Sequence, residues 1–279
     1  MNMNRHYVCV CVLCLLSPGI LFAQDSDYHP ILSDNFTASL GAMKSSNSFK
    51  AEAGAPGDPG DEIDFDDSLG VSNSSTFFNG QLRWKFGKTK KWSLSGQYFS
   101  NKATGSAVLT EDVDFDGLTF REGSFAEAGV KLAVARVFVG RSFFKNEKND
   151  FGLGIGIHNL DLDLFLEAEL KVNDMTTGVQ RAGVGASQLL PNIGGWYYFS
   201  PAQKWLLHAR VDWLNASIGD YSGVLWNITA GINYQAFRNV GFDLYWQYFN
   251  LNVDVDKSDW VGSANMIYSG PVLAATFNW

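Results

Sequence analysis

The sequence has no cysteine after its first 23 residues. All three cysteines, Cys9, Cys11 and Cys14, lie in the N-terminal segment. Without cysteine, residues 24–279 cannot form disulfides, a structural zinc site of the Cys-x-x-Cys kind or a cysteine nucleophile. These three kinds of site are therefore excluded.

A long apolar run is also missing. The N-terminal stretch Tyr7–Leu16 is apolar but much shorter than the roughly 20 residues that a membrane-spanning helix needs. Arg5 precedes it, Ser17-Pro18-Gly19 breaks it, and Ala23 offers a small residue at a cleavage point. This order is typical of a secretory signal peptide. We predict a signal peptide over residues 1–23 and a single domain over residues 24–279, with a retained N-terminal membrane helix as the alternative.

Basic residues are in the minority. The sequence has 21 Lys and Arg against 29 Asp and Glu, a formal net charge of −8. Removing Arg5 with the signal leaves a net charge of −9. Because proteins that bind nucleic acid present clustered basic residues, we expect no nucleic-acid partner.

Aromatic residues are abundant, and apolar residues alternate with polar ones. Aromatics make up 14% of the sequence, with nine Trp and 28 Gly. In Trp226–Gln235, the even positions Trp226, Ile228, Ala230, Ile232 and Tyr234 are apolar or aromatic, and the odd positions are polar or Gly. This period of two over ten residues predicts a strand of the length that crosses a membrane.

The same alternation recurs along the chain, and short polar links alternate with long links rich in Gly and Asp. This order is typical of tight periplasmic turns and larger extracellular loops. We predict ten strands, which leave both termini on the periplasmic side, with eight strands as the alternative. The predicted strands are residues 35–43, 76–86, 92–100, 125–143, 151–169, 189–199, 204–217, 222–237, 240–255 and 263–279.

The fifth predicted strand changes its pattern near His158-Asn159. Apolar residues occupy odd positions from Phe151 to Ile157 and even positions from Leu160 to Leu166. Such a change predicts either a β-bulge or a strand that leaves the membrane at this point.

An antiparallel sheet in hydrocarbon has to close on itself, because unpaired backbone groups there cost several kcal/mol each. The fold class predicted is therefore all-β, a closed antiparallel transmembrane β-barrel. Seven tryptophans fall near predicted strand ends and suit interfacial girdles; they are Trp84, Trp92, Trp205, Trp213, Trp226, Trp246 and Trp279. A soluble β-sandwich or lipocalin-like barrel is the alternative.

The last strand carries the most specific motif. Leu273, Ala275, Phe277 and Trp279 share one face, and the sequence stops on the aromatic residue. In this motif and in its strand pattern the chain resembles small Gram-negative outer-membrane β-barrel proteins of the OmpA type, with Trp279 in place of the commoner phenylalanine and without a periplasmic domain. The resemblance implies a place in the cell outer membrane among lipid and lipopolysaccharide. It also implies recognition by the barrel-assembly machinery, and we expect a monomer.

Charged residues concentrate on the polar face of the predicted strands. They are Arg83, Lys85, Arg136, His208, Arg210, Asp212 and Asp243. One interpretation is a lumen filled by side chains that pair with one another. The other is a water-filled conduit for small solutes.

Two histidines are candidates for catalysis. His208 and Asp212 share a strand face but would lie about 13 Å apart, at 3.2–3.4 Å per residue. His158 with Asp161 or Asp163, at the outer rim, is the better candidate. Neither matches a family-specific motif, so we predict no catalytic residue and no cofactor.

One acidic segment looks like the start of a calcium-binding loop. Asp112, Asp114, Asp116 and Gly117 have EF-hand spacing, but Glu122 is the eleventh residue where the motif needs a carboxylate at the twelfth. We interpret the segment as a solvated acidic loop and predict no metal site.

We therefore predict an outer-membrane β-barrel with a structural or surface-interaction role and without catalysis. The alternative is a narrow porin-like channel for small solutes, and the third hypothesis is a hydrolase at the outer rim.

Overall fold

The computed structural model describes residues 28–58, 60–172, 175–258 and 260–279. The predicted signal peptide, residues 1–23, lies outside this part of the chain and stays a prediction. Within these ranges, none of the helical structure has the length and apolar character needed to cross a membrane.

Almost all of the described chain is antiparallel strand. A four-residue helix, α1 (Pro30–Ser33), precedes the sheet. The strands are β1 (Phe36–Gly54), β2 (Ile63–Asp64), β3 (Ser74–Phe86), β4 (Trp92–Val108), β5 (Val113–Phe115), β6 (Leu118–Phe120), β7 (Phe125–Lys145), β8 (Asn149–Val172), β9 (Met175–Ala202), β10 (Trp205–Ile218), β11 (Tyr221–Tyr234), β12 (Val240–Asp256) and β13 (Val261–Asn278).

Ten long strands form a closed ring, as the sequence predicts. Each pairs with its neighbour in the chain, with β2 attached to β1 and with β5 and β6 as a separate hairpin in the loop between β4 and β7. Pairing of β1 with β13 closes the ring. Phe36 and Trp279 exchange backbone hydrogen bonds of 2.8 and 3.1 Å, so the first and last strands meet at one end. The prediction of ten strands is confirmed, and the eight-stranded alternative is wrong.

Several strands extend much further toward the extracellular end than the sequence predicted. β1 ends at Gly54 rather than residue 43, β4 at Val108 rather than residue 100, and β9 begins at Met175 rather than residue 189. In these extensions the alternation is less clear. In the segment Lys44–Lys50, for example, all residues but Phe49 are polar, so the pattern resembles a loop.

The outward-facing side chains near the periplasmic end of the ring form an apolar belt. Their exposure ranges from 39% to 75%. Members include Leu40, Phe78, Leu82, Val137, Ile155, Ile193, Leu244 and Leu273. A soluble protein rarely exposes so large an apolar surface, whereas a membrane barrel turns it toward lipid.

Tryptophans edge this belt. Trp84, Trp92, Trp205 and Trp279 lie exposed at the periplasmic ends of their strands. Trp213 and Trp226 face each other higher up, with ring centroids 6.0 Å apart. The six rings occupy the two levels expected for interfacial girdles.

Toward the extracellular end, the polarity of the wall reverses. In β8, the apolar residues Leu153 to Ile157 face outward, whereas Leu160, Leu162, Leu164 and Leu166 are buried inside. β8 pairs residue by residue with β7 and β9 through His158-Asn159, so the predicted bulge is wrong there. The alternative prediction, a strand that leaves the membrane at this point, is confirmed, because β8 continues beyond the belt. We call the part within the belt the membrane half and the part beyond it the extracellular half.

Candidate functional site

The helix α1 closes the periplasmic mouth of the barrel. Lys85 donates hydrogen bonds to the carbonyl oxygens of Ile31 (2.9 Å) and Leu32 (2.8 Å), and Arg83 donates to that of Ile31 at 3.0 Å. Ile31 and Leu32 are buried against Leu206. These hydrogen bonds satisfy backbone carbonyl oxygens that have no partner within so short a helix, and together with the apolar contacts they hold α1 inside the ring. The sequence analysis did not predict this plug, because four residues carry no periodic pattern.

His29 begins the plug. Its Nδ1 accepts a hydrogen bond of 3.2 Å from the backbone N–H of Ile31, as a helix N-cap does. The ring is fully buried. Burial, together with the positive charges of Arg83 and Lys85, lowers the pKa of His29 to about 4.

A charged cluster fills the interior of the membrane half. The Asp212 carboxylate accepts hydrogen bonds from Arg136 at 2.9 Å and from Arg210 at 3.1 and 3.2 Å. Both guanidinium groups lie 4.4 Å from the centroid of the Phe138 ring. Asn192 also donates to Asp212, at 3.3 Å. The carboxylate is thus buried and fully partnered, as a charge in a low-dielectric interior has to be.

A polar cavity lies between this cluster and α1. Its volume is about 80 Å³. In its wall, His208 and Asp243 are hydrogen-bonded at 2.8 Å, and the guanidinium group of Arg83 lies 4.7 Å from the centre of the Tyr198 ring. The seven charged residues that the sequence predicted for the lumen all face this interior. Arg136, Arg210 and Asp212 form ion pairs and His208 bonds to Asp243, whereas Arg83 and Lys85 bond to carbonyl oxygens of α1.

The structure pairs the histidines differently from both catalytic hypotheses. His208 bonds to Asp243 on β12 rather than to Asp212 on its own strand. His158 is fully buried inside the barrel beside Asp212, whereas Asp163 points outward and bonds to Lys131 at 3.0 Å. His158 and the carboxylates of Asp161 and Asp163 therefore lie on opposite faces of β8, so they do not form the pair that the rim-hydrolase hypothesis needs.

The interior of the extracellular half is apolar. Aromatic rings from five strands pack together there, with centroid distances of 5.3 Å for Phe49–Tyr268, 5.6 Å for Phe77–Phe99 and 5.6 Å for Phe99–Phe249. The aliphatic side chains of β7 and β8 surround this cluster. The sequence alternation contains a signal for this core, because Leu160 to Leu166 occupy the face opposite to that of Phe151 to Ile157.

The segment that resembles a calcium loop is a tight hairpin of β5 and β6. Asp116 and Gly117 form its turn with φ angles of 52° and 70°. Asp112 accepts hydrogen bonds from Arg121 (2.6 Å) and from the Glu122 backbone (2.8 Å). The carboxylates therefore do not converge as in an EF-hand, and the described residues contain no cluster of three or more metal-ligating side chains.

No known protein family matches the sequence, and no curated protein is significantly similar to it. Among solved structures, the chain is similar to the outer membrane protease OmpT of Escherichia coli, with a TM-score of 0.56 and 10% identity over 88% of this chain and 97% of OmpT. At that identity the likeness shows the fold alone.

Two further similarities are too weak to carry an argument. The transport unit of the autotransporter AIDA-I from Escherichia coli gives a TM-score of 0.40 at 10% identity, over 96% of this chain and 97% of the other. A Pseudomonas aeruginosa FadL homologue gives 0.37 at 11% identity, over 91% and 92%. Fold and apolar belt together lead to one conclusion: this chain is an outer-membrane β-barrel protein.

Proposed function

We propose that the protein is a closed barrel with a structural or surface-interaction role at the extracellular face, without conductance and without catalysis. One observation carries the proposal: side chains block the interior at three successive levels. The plug α1, the Arg136–Asp212–Arg210 cluster and the aromatic core follow one another along the axis.

The outward face of the extracellular half supports a role in contact with water. In this half the outward positions of β1 and β4 are polar except for Val108, and they include Lys44, Lys50 and Lys102. Long strands with a hydrophilic exterior raise the loops clear of the lipid. We further propose that the protein acts as a monomer surrounded by lipid and lipopolysaccharide, after insertion by the barrel-assembly machinery.

Conductance tests the closed lumen. Purified protein in a planar bilayer is expected to give no stable unitary current steps. A variant that lacks residues 28–34, and therefore α1, is expected to stay closed as well, because the aromatic core is independent of the plug. Unitary steps from the parent protein would contradict the proposal.

A narrow channel is the second candidate, and the polar cavity of about 80 Å³ is the observation that favours it. A channel would require a continuous polar path, and the apolar core of the extracellular half interrupts it. Steps seen only after deletion of residues 28–34 would mean that the core is permeable and that α1 is the gate.

The rim hydrolase is the weakest of the three hypotheses. Its best candidate, His158, is buried and faces away from Asp161 and Asp163. Replacing His158 with Ala is expected to leave lipid A and test peptides as unmodified as the parent protein leaves them. A cleavage product that the parent forms and H158A does not form would favour the enzyme.

A further inference from the structure

One arginine, Arg141 of β7, lies on the lipid-facing surface of the belt. It shares the outward face of β7 with Val139 and Phe143, which are 39% and 62% exposed. Strand pairing places Trp92 of β4 on one side of it and Leu153 of β8 on the other, and both of these are exposed as well. Its neighbours on the outer surface are therefore apolar or aromatic in all four directions.

This position is an exception within the belt. At the other outward-facing belt positions that the structure describes, none of the side chains is charged. In the described part of the chain no carboxylate pairs with the guanidinium group of Arg141, which instead lies 5.6 Å from the centroid of the Trp92 ring. A charge that faces lipid is costly unless it reaches a polar group at the interface, so this arginine needs an anion.

The depth of Arg141 in the membrane suits a phospholipid headgroup. β7 ends at Lys145, four residues further toward the periplasm, and Trp92 begins β4 in the periplasmic girdle. Girdle residues lie at the level of the headgroups. An arginine there keeps its aliphatic stem on the apolar surface and extends its charged end toward the headgroups. The phosphate of a lipid in the periplasmic leaflet is the anion at this level.

Two neighbouring turns add positive charge beside Arg141. Their lysines are Lys88, Lys90, Lys91, Lys145 and Lys148. The turns are in contact, because Lys145 Nζ donates a hydrogen bond of 2.8 Å to the carbonyl oxygen of Lys90. The acidic residue exposed on them is Glu147. This corner of the periplasmic rim is therefore basic, although the chain as a whole is acidic.

A similar arginine in the extracellular half has a counterion within the chain. The guanidinium group of Arg181 lies 4.3 Å from the centroid of the Phe165 ring and pairs with Glu167 at 3.0 Å. Arg141 has the aromatic ring but lacks a described carboxylate partner. An anion from outside the chain would complete the same arrangement.

We propose that Arg141, with Lys88 and Lys91, binds the phosphate group of an anionic phospholipid in the periplasmic leaflet. Trp92 orients the guanidinium group, and the acyl chains of the lipid lie along the belt. The surrounding lysines favour a lipid with a net negative charge over a zwitterionic one, whose positive group they would repel. This site is separate from the proposed role at the extracellular face and does not depend on it.

Native mass spectrometry of the full mature chain in neutral detergent micelles tests the proposal. Phosphatidylglycerol and phosphatidylcholine are titrated separately, and the parent is expected to bind phosphatidylglycerol roughly tenfold more tightly. Each basic residue near an anionic surface changes binding roughly fivefold, so R141Q is expected to lose about fivefold in phosphatidylglycerol affinity. Equal affinities of the parent for the two lipids would overturn the proposal.

Two control variants separate this site from a general effect of charge. R181Q removes the arginine beyond the belt and is expected to bind phosphatidylglycerol like the parent, and R141K is expected to keep most of the preference. An equal loss in R181Q and R141Q would overturn the proposal. If R141Q does not refold, K88Q replaces it, and unchanged phosphatidylglycerol affinity in K88Q would then overturn the proposal.

Peptidoglycan is another anionic partner that the periplasmic turns could reach. Cosedimentation with purified peptidoglycan is expected to be the same for the parent and for R141Q. Retention that depends on Arg141, together with equal affinity for the two phospholipids, would overturn the assignment to a lipid.

Discussion

The membrane half and the extracellular half of this barrel are built from the same strands with opposite polarity. Within the belt, Ile155 and Ile157 of β8 face outward and His158 faces the interior. A few residues later, Leu160 is inside and Asp161 outside. The period of two is unbroken, and only the solvent changes, from hydrocarbon to water. The apolar side chains follow that change, because each turns away from water.

The two interiors also differ in what holds them together. Ion pairs and hydrogen bonds fill the membrane half, so each member depends on particular partners. Close packing of aromatic and aliphatic groups fills the extracellular half. The following substitutions test this difference, from the largest expected effect to the smallest.

Replacing Asp212 with Ala is expected to lower the free energy of unfolding by about 3–5 kcal/mol, because Arg136 and Arg210 would keep their buried charges without a counterion. Urea unfolding of the refolded protein in micelles measures the change. The control is D163A, which breaks the exposed pair Lys131–Asp163 of the extracellular half and costs about 0–1 kcal/mol. Equal losses would mean that the buried network around Asp212 contributes no more to stability than an exposed ion pair.

Replacing Ile155 with Arg is expected to destabilise the barrel by about 2–4 kcal/mol, since the charge would face the bilayer. The matched control is D161R, on the same outward face six residues further along β8. Beyond the belt this charge meets water, so its effect stays within about 0.5 kcal/mol. Urea unfolding in vesicles compares the two. A large loss in D161R would move the boundary of the belt outward.

Acidification is expected to loosen α1 but not the apolar core. The pKa of His29 is about 4 in the folded protein, below its ordinary value of 6.5. The contribution of neutral His29 to docking of the plug is therefore fully present above about pH 6.5. As the pH falls toward 4, the free energy that favours docking decreases by up to about 3 kcal/mol, because protonation of His29 favours the undocked segment.

A spin label on S33C measures the mobility of the plug, and residues 24–279 contain no other cysteine. Mobility is expected to rise between pH 7 and pH 4. In S33C combined with H29Q this rise is expected to disappear. A rise that persists in the double variant would mean that another group controls docking.

Packing in the membrane half is tested at Gly152. The ring of Trp196 lies so close to this glycine that a Cβ atom would overlap it. G152A is therefore expected to cost about 1–3 kcal/mol through overpacking. G80A is the control, because nothing lies within 4 Å of a Cβ at Gly80, and its effect stays within about 0.5 kcal/mol. Urea midpoints that shift equally would contradict the tight fit around Trp196.

Much of this architecture was predictable from the sequence. Alternation over Trp226–Gln235 and its repeats predicted the strands, their number and the outward belt, because the side chains of a strand point alternately to its two faces. The charged residues of the polar face were correctly predicted to fill the lumen. The extensions of β1, β4 and β9 were missed, since polar residues there occupy both faces.

The sequence by itself determined which face of each strand a residue occupies. Only the tertiary structure decided which residues meet across the ring: His208 with Asp243, His158 with Asp212, and α1 with Lys85. Those partners depend on strand register and on closure of the ring, which join residues far apart in the chain. The end of pairing between β9 and β10 near Pro191 arises in the same way, because two strands part there while their alternation continues unchanged.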